Sequence, residues 1–209
     1  MENNEVIKTE ADLSKFLNTL IDSKKLPSHI KTVEEAFTIA QMGKELGFPT
    51  MQAFHYIIPI QGRLSLSAKA IGALLRRGNI KFYTKEDGVY VYPDGSTDII
   101  SPKPDGTKPT DRRTTIVFTR DGMNETCSFT WKDATLQGLT SKDNWTRMPR
   151  EMLYARCLAK GANRIGADML LGLYTAEELA DTFLKEEQVK RNDDGTISEV
   201  VDTNYTEVK

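Results

Sequence analysis

The stretch Arg112-Arg113-Thr114-Thr115-Ile116-Val117-Phe118-Thr119-Arg120, Asp121-Gly122-Met123-Asn124, Glu125-Thr126-Cys127-Ser128-Phe129-Thr130 decides the fold. Two runs rich in β-branched and aromatic residues flank a four-residue segment of turn formers, which reads as a β-hairpin. Upstream, Ile80 to Thr84 and Val89 to Tyr92 flank Lys85-Glu86-Asp87-Gly88 and read as another hairpin. Between them, Pro93 to Pro109 is polar and holds four of the chain's eight prolines. A loop of that length is usually functional or disordered.

Helices are expected on both sides of this β centre. Leu13, Phe16, Leu17, Leu20 and Ile21 recur at helical spacing between Ala11 and Ser23. Thr32 and Glu35 form a capping box, opening a helix that stops at Gly47 and Pro49. Phe54 to Ile60 reads as a strand held to a sheet edge by Pro59, which cannot donate a ladder hydrogen bond. Gln61-Gly62-Arg63 turns the chain, and Leu64 to Arg77 reads as a helix closed by Gly78. Downstream, Trp131 to Leu136 is a short helix, and Pro149 opens a longer one to Asn163 from the first helical position. Thr175 and Glu178 form a second capping box before a helix through about Gln188.

This order of helices, strands and helices predicts an α+β fold, with central antiparallel hairpins packed by helices on the N- and C-terminal sides. The expected organisation is an N-terminal helix over residues 1–31, a candidate oligomerisation arm, then a core over 32–188. Residues 189–209 form an acidic tail too poor in apolar side chains to order itself.

The chain has 209 residues and a formal charge of −2, but the charge is unevenly placed. Residues 63–164 carry 18 basic and 11 acidic side chains, a net of +7, while residues 176–209 carry 4 and 10, a net of −6. A basic centre with an acidic tail points to a polyanion partner, although a solvated surface also produces such a pattern. Other classes are excluded. No apolar run approaches the roughly 20 residues of a spanning helix, and the acidic start is unlike a signal peptide. Cys127 and Cys157 are too few for a disulfide scaffold. There is no glycine-rich phosphate loop, no C-x-x-C and no H-E-x-x-H, and the carboxylates of the folded region are dispersed. No catalytic residue, cofactor or metal is therefore expected. His55, in an apolar run, reads as a packed core histidine.

The positive signal is basic residues interleaved with aromatics. Arg63, Lys69, Arg76 and Arg77 accompany the first central helix, and Arg112, Arg113 and Arg120 sit on the second hairpin. Arg156, Lys160 and Arg164 recur every four residues, about 6 Å apart along a helix. That spacing suits successive phosphates of an extended strand; three solvated cations on an exposed face fit it equally. Tyr90 and Tyr92 share one strand face, where aromatics stack bases or, more often, pack in a core. Trp145 reads as a packing anchor for the helix that follows it.

Two blocks of residues resemble the RecT/Redβ family of phage single-strand annealing proteins. The first runs from Ala36 to Gly78 and includes Leu46-Gly47-Phe48-Pro49, Tyr56-Ile57-Ile58-Pro59-Ile60-Gln61-Gly62-Arg63 and Lys69 to Arg77. The second comprises Phe129-Thr130-Trp131-Lys132, then Trp145, Pro149, Met152, Leu153 and Arg156. The similarity spans Glu34 to Leu179, and the order and spacing of the blocks carry it more than either block alone. The Pro93–Pro109 stretch matches no family motif, and the chain is shorter than many relatives at both ends.

The resemblance implies ATP-independent binding of single-stranded DNA and annealing of complementary strands in phage recombination, in the host cytoplasm. It implies self-assembly into rings or helical filaments, a single strand and an annealed duplex intermediate as partners, and contact with a phage exonuclease or a host single-strand binding protein. By position it assigns DNA contacts to Arg63, Lys69, Arg76, Arg77, Lys132 and Arg156; Lys160 and Arg164 rest on helical spacing, and Arg112 and Arg113 on the hairpin. A passive single-strand binding module and a metal-dependent nuclease are the alternatives, with a recombination accessory acting only through protein contacts as a third.

Overall fold

A computed structural model describes residues 9–176, Glu178 and Leu179, and the backbone of residues 189–191 and 197–200. Among these residues the fold is α+β: eight helices, a four-stranded antiparallel sheet and a small mixed sheet. Helix α1 (Glu10–Asp22) leads into α2 (Val33–Glu45), and each has its capping box in place, Thr9 with Asp12 and Thr32 with Glu35. Leu17 of α1 is fully buried in the same core as α2, so residue 31 marks no break in the packing. Gly43 of α2 faces Ala53 of α3 (Thr50–Tyr56), where a Cβ would lie 2.3 Å from that of the alanine.

The strand expected over 54–60 is half helix. Phe54, His55 and Tyr56 close α3, and β1 covers only Ile57–Ile60. Phe54 and Ile57 still reach the core, which an apolar run does equally well as a helical turn or as a strand. His55, expected to be packed, points out of α3 into solvent. Strand β2 (Arg63–Leu66) pairs antiparallel with β1 across Gln61-Gly62, so the predicted helix starts only at α4 (Ala68–Arg77), capped by Ser67. Pro59 lies on edge strand β1, as its missing donor requires.

The main sheet has the order β4-β3-β5-β6, from β3 (Lys81–Val91), β4 (Thr97–Asp98), β5 (Asp111–Arg120) and β6 (Met123–Thr130). The hairpin of β5 and β6 is present and tighter than expected. Met123 pairs with Arg120, leaving a two-residue turn in which Asp121 and Gly122 both take positive φ, 50° and 80°.

The first predicted hairpin does not form. Residues 81–91 are one strand, paired with β5 along its length, and Lys85-Glu86-Asp87-Gly88 is absorbed as register shifts at Thr84/Glu86 and Glu86/Val89. Side chains hold this bulge. Glu86 accepts from Arg113 Nε (2.8 Å) and Nη2 (2.7 Å) and from Thr115 Oγ1 (2.6 Å), and the Gly88 N–H donates to Thr114 Oγ1 at 2.9 Å. The 93–109 loop is folded against β3: Tyr92, 1% exposed, donates to the Ile100 carbonyl at 2.7 Å, and Lys103 lies over its ring.

Beyond the sheet come α5 (Trp131–Leu136), α6 (Asp143–Arg147), α7 (Pro149–Ile165), α8 (Ala167–Leu170) and β7 (Tyr174–Thr175), which joins β2 in parallel. Helix α7 lies across β3, β5 and β6. The Thr175–Glu178 capping box is formed, and the helix expected to follow it lies outside the described residues past Leu179. In the segment expected to be unordered, β8 (Val189–Arg191) pairs antiparallel with β9 (Ile197–Val200); the rest of the tail lies outside the described residues. No described helix is long and apolar enough to cross a membrane.

Helix α7 approaches the sheet closely at Gly161, where a Cβ would sit 2.1 Å from Phe118 Cε2. Gly161→Ala gains up to about 1 kcal/mol of helix propensity but overpacks the core at a cost of about 1–3 kcal/mol. The expected outcome is a lower urea midpoint with an unchanged m-value.

Candidate nucleic-acid interface

The helix predicted to offer a phosphate ladder turns its basic face inward. Arg156, Lys160 and Arg164 do share one side of α7, but that side packs on β6. Arg156 is 9% exposed, Lys160 Nζ donates to the Ser128 carbonyl at 3.0 Å, and Arg164 Nη1 meets Glu125 Oε1 at 2.7 Å. Arg156 is buried, Lys160 ties the helix to β6, and Arg164 is paired there with its side chain 53% exposed, so the three do not form a row of free, solvent-facing cations. Arg164 holds the Glu125 carboxyl below its ordinary range by hydrogen bonding.

Other predicted contacts are also engaged within the fold. Arg113 grips Glu86 with two hydrogen bonds inside the β3 bulge. Arg77 donates to the Leu46 carbonyl at the end of α2 and lies 5.0 Å from the Phe48 ring centroid, joining α4 to α2. Arg120 binds both carboxylate oxygens of Asp168 and the Ile165 carbonyl, closing the sheet onto the end of α7. Much of the positive charge counted in the sequence therefore fastens elements together.

A second set faces out. Lys69 and Arg76, seven residues apart on α4, share a face about 10 Å apart at 1.5 Å per residue, and both are exposed. Arg76 stacks over Phe82 at 5.0 Å and lies within electrostatic reach of Tyr154, as does Asp87. Asp87 accepts from Arg150 Nε at 2.9 Å and from its Nη2, and Arg150 packs on Gly88, whose φ of +62° and lack of a Cβ permit the contact. The Gly88 carbonyl accepts from Arg112 Nε at 2.7 Å, and Arg112 stacks on Tyr90 at 4.9 Å. Asp111, next in the chain, takes the Lys132 backbone N–H at 3.2 Å, which sets the exposed Lys132 beside Arg112. Lys69, Arg76, Arg150, Arg112 and Lys132 thus form a connected basic row across α4, the start of α7, β5 and α5. Arg63, exposed at the β1–β2 turn, begins the segment that leads into α4.

Arg150 was missed by sequence reasoning. Its position directly after the helix-opening Pro149 was the available signal, because a side chain in the first helical turn projects at the helix end and not along its packed face. Tyr90 was read with Tyr92 as core, yet only Tyr92 is fully buried; Tyr90 lines a cleft with Trp131, Trp145 and Arg112. Trp145 is fully buried against Trp131 and Phe129, as its reading as a packing anchor requires.

Neither cysteine is poised as a nucleophile. Burial pushes the Cys157 thiol up to about 12 and raises that of Cys127, so both stay protonated at neutral pH. Among the described residues, no three His, Cys, Asp or Glu side chains converge in a way that could hold a metal ion. Comparison of the chain with family models, curated proteins and solved structures finds no match, so the RecT/Redβ resemblance rests on the motif residues themselves.

The Arg113 hydrogen bonds are the main cause holding the Glu86 carboxyl below its usual 4.5. A carboxyl depressed by folding contributes stability that is full above its unfolded pKa and is lost as pH falls through the lower folded value. Glu86→Gln should therefore lower Tm at pH 7 and flatten the decline of Tm below about pH 4.5. A thermal melt series from pH 7 to pH 3 compares the two slopes.

Proposed function

We propose that the chain binds single-stranded DNA and anneals complementary strands without nucleotide hydrolysis, in the manner of the RecT/Redβ proteins it resembles. The observation that carries this reading is the connected basic row of Lys69, Arg76, Arg150, Arg112 and Lys132, flanked by Tyr90, Trp131 and Tyr154. Cations in a row attract successive phosphates, and aromatic faces beside them stack bases without sequence preference. Three of the five cations, Lys69, Arg76 and Lys132, belong to the motif blocks. Phosphates held in this way leave base edges free to test a second strand, so specificity lies in Watson–Crick pairing.

On this reading several copies line up along a strand as a ring or filament, with the rows continuing from one protomer to the next. The acidic tail is suited either to contact an exonuclease or a host single-strand binding protein, or to compete with DNA for the row.

The test is annealing of two complementary oligonucleotides without ATP, beside a noncomplementary pair. Acceleration of the complementary pair alone is expected. Binding without acceleration would assign a passive binding module, and loss of substrate on adding Mg²⁺ would assign a nuclease.

The salt dependence checks the row itself. Five phosphate contacts at about −0.7 each give a slope of log affinity against log salt of about −3.5. Lys69→Ala and Lys132→Ala should each flatten that slope by about 0.7 for every sequence alike. Lys160→Ala, from the inward face, should lower Tm and leave the slope unchanged.

A further inference from the structure

The chain has two tryptophans, and both stand at one cleft. Trp131 and Trp145 meet edge to face, with ring centroids 5.9 Å apart and planes at 65°. Trp145, fully buried, lies behind the cleft and supports Trp131 from within. Trp131 and Tyr90 are the aromatic walls, and Pro109 and Pro149 also line the space. The volume is about 430 Å³, within the range of about 300–1,000 Å³ found for small-molecule sites.

The charge distribution separates what can enter from what stays outside. Arg112 stacks on Tyr90, and its Nε is fixed by the Gly88 carbonyl. Its terminal nitrogens make no hydrogen bond among the described residues and are available at the mouth. Asp111 lines the cleft itself, its Oδ1 already taken by the backbone N–H groups of Arg112 (2.7 Å) and Lys132 (3.2 Å). A phosphate inside would face that carboxylate in a mostly apolar space, whereas at the mouth it meets Arg112, Arg150 and Lys132. A flat, uncharged ring brings no such repulsion. It presents π faces to the aromatic rings of Tyr90 and Trp131, which line the space.

We propose that this cleft takes one unstacked nucleobase of the bound strand, with the flanking phosphates held outside by Arg112, Arg150 and Lys132. The proposal rests on the strand-binding reading above and adds to it a defined base site. Stacking is open to every base, so the site is tolerant of sequence. A parked base also breaks the stack of the bound strand once per protomer, dividing it into short runs open to pairing.

Because no tryptophan lies elsewhere, intrinsic emission reports on this cleft alone. The experiment titrates the protein with a short oligothymidylate and with a fully abasic strand of the same length, reading emission for the cleft and anisotropy of labelled strands for binding. The expected result is quenching by oligothymidylate, with little change from the abasic strand although it binds. Tyr90→Leu, which removes a stacking face but keeps apolar volume, should weaken oligothymidylate about tenfold more than it weakens the abasic strand; its circular dichroism melt checks the fold. Oligothymidylate that binds without changing the emission, or a Tyr90→Leu loss equal for both strands, would overturn the base site and leave strand binding standing. If neither strand binds, the strand-binding reading falls and the base site with it.

Discussion

Helix α7 meets the sheet through small residues, and the rest of the molecule is arranged around that contact. Gly161 gives the Phe118 ring the space a side chain would fill. Cys157 sits close enough to donate to the Cys127 carbonyl at 3.2 Å. Such close approach fixes both the rotation and the axial position of the helix, because interiors packed to crystal density leave no slack for either to drift. Rotation decides that Lys160 and Arg164 reach β6 and that Arg156 is buried. Axial position decides that Arg150, at the N-terminal turn, lands on Gly88 and beside Arg112. The cleft and the basic row both follow from this placement.

Positive charge is consequently divided between two jobs. Arg113 with Glu86, Arg120 with Asp168 and Arg164 with Glu125 join strands to one another or to α7 and α8, and Arg150 of the row is likewise paired with Asp87. Solvent screens pairs of this kind and leaves them little net stability, so their value is mostly in registering one element against the next. The net of +7 in the central region therefore overstates the charge available to a polyanion. Accessible cations include those on α4, the first turn of α7 and α5, beside others such as Lys81, Lys85 and Lys108 on the sheet and loop surface.

Local signals in the sequence were reliable where chemistry at a single residue dictates the backbone. The capping boxes at Thr32 and Thr175, Pro149 at a helix start and Asp121-Gly122 in a hairpin all sit where their side chains and φ preferences place them. Failures came where one pattern serves two structures. Lys85-Glu86-Asp87-Gly88 has the composition of a turn, but those residues suit a bulge equally, and pairing of both flanks with β5 decides the matter. The Phe54–Ile60 run is apolar enough for a buried strand or the last turn of a helix. For the site, spacing put Arg156, Lys160 and Arg164 on one side of a helix correctly, but spacing cannot say which side faces the core. Apolar neighbours on α7 nearly encircle it, with nine of its residues buried, so the polar face was no guide to solvent.

The central claim is that a single strand runs along Lys69, Arg76, Arg150, Arg112 and Lys132 and not along the inner face of α7. Photocrosslinking of a 5-bromodeoxyuridine oligonucleotide, followed by peptide mapping, reads the path directly. Crosslinks to Tyr90, Trp131 and Tyr154 are the predicted result. Crosslinks confined to α1 or to the tail, or none from a strand that is demonstrably bound, would contradict it.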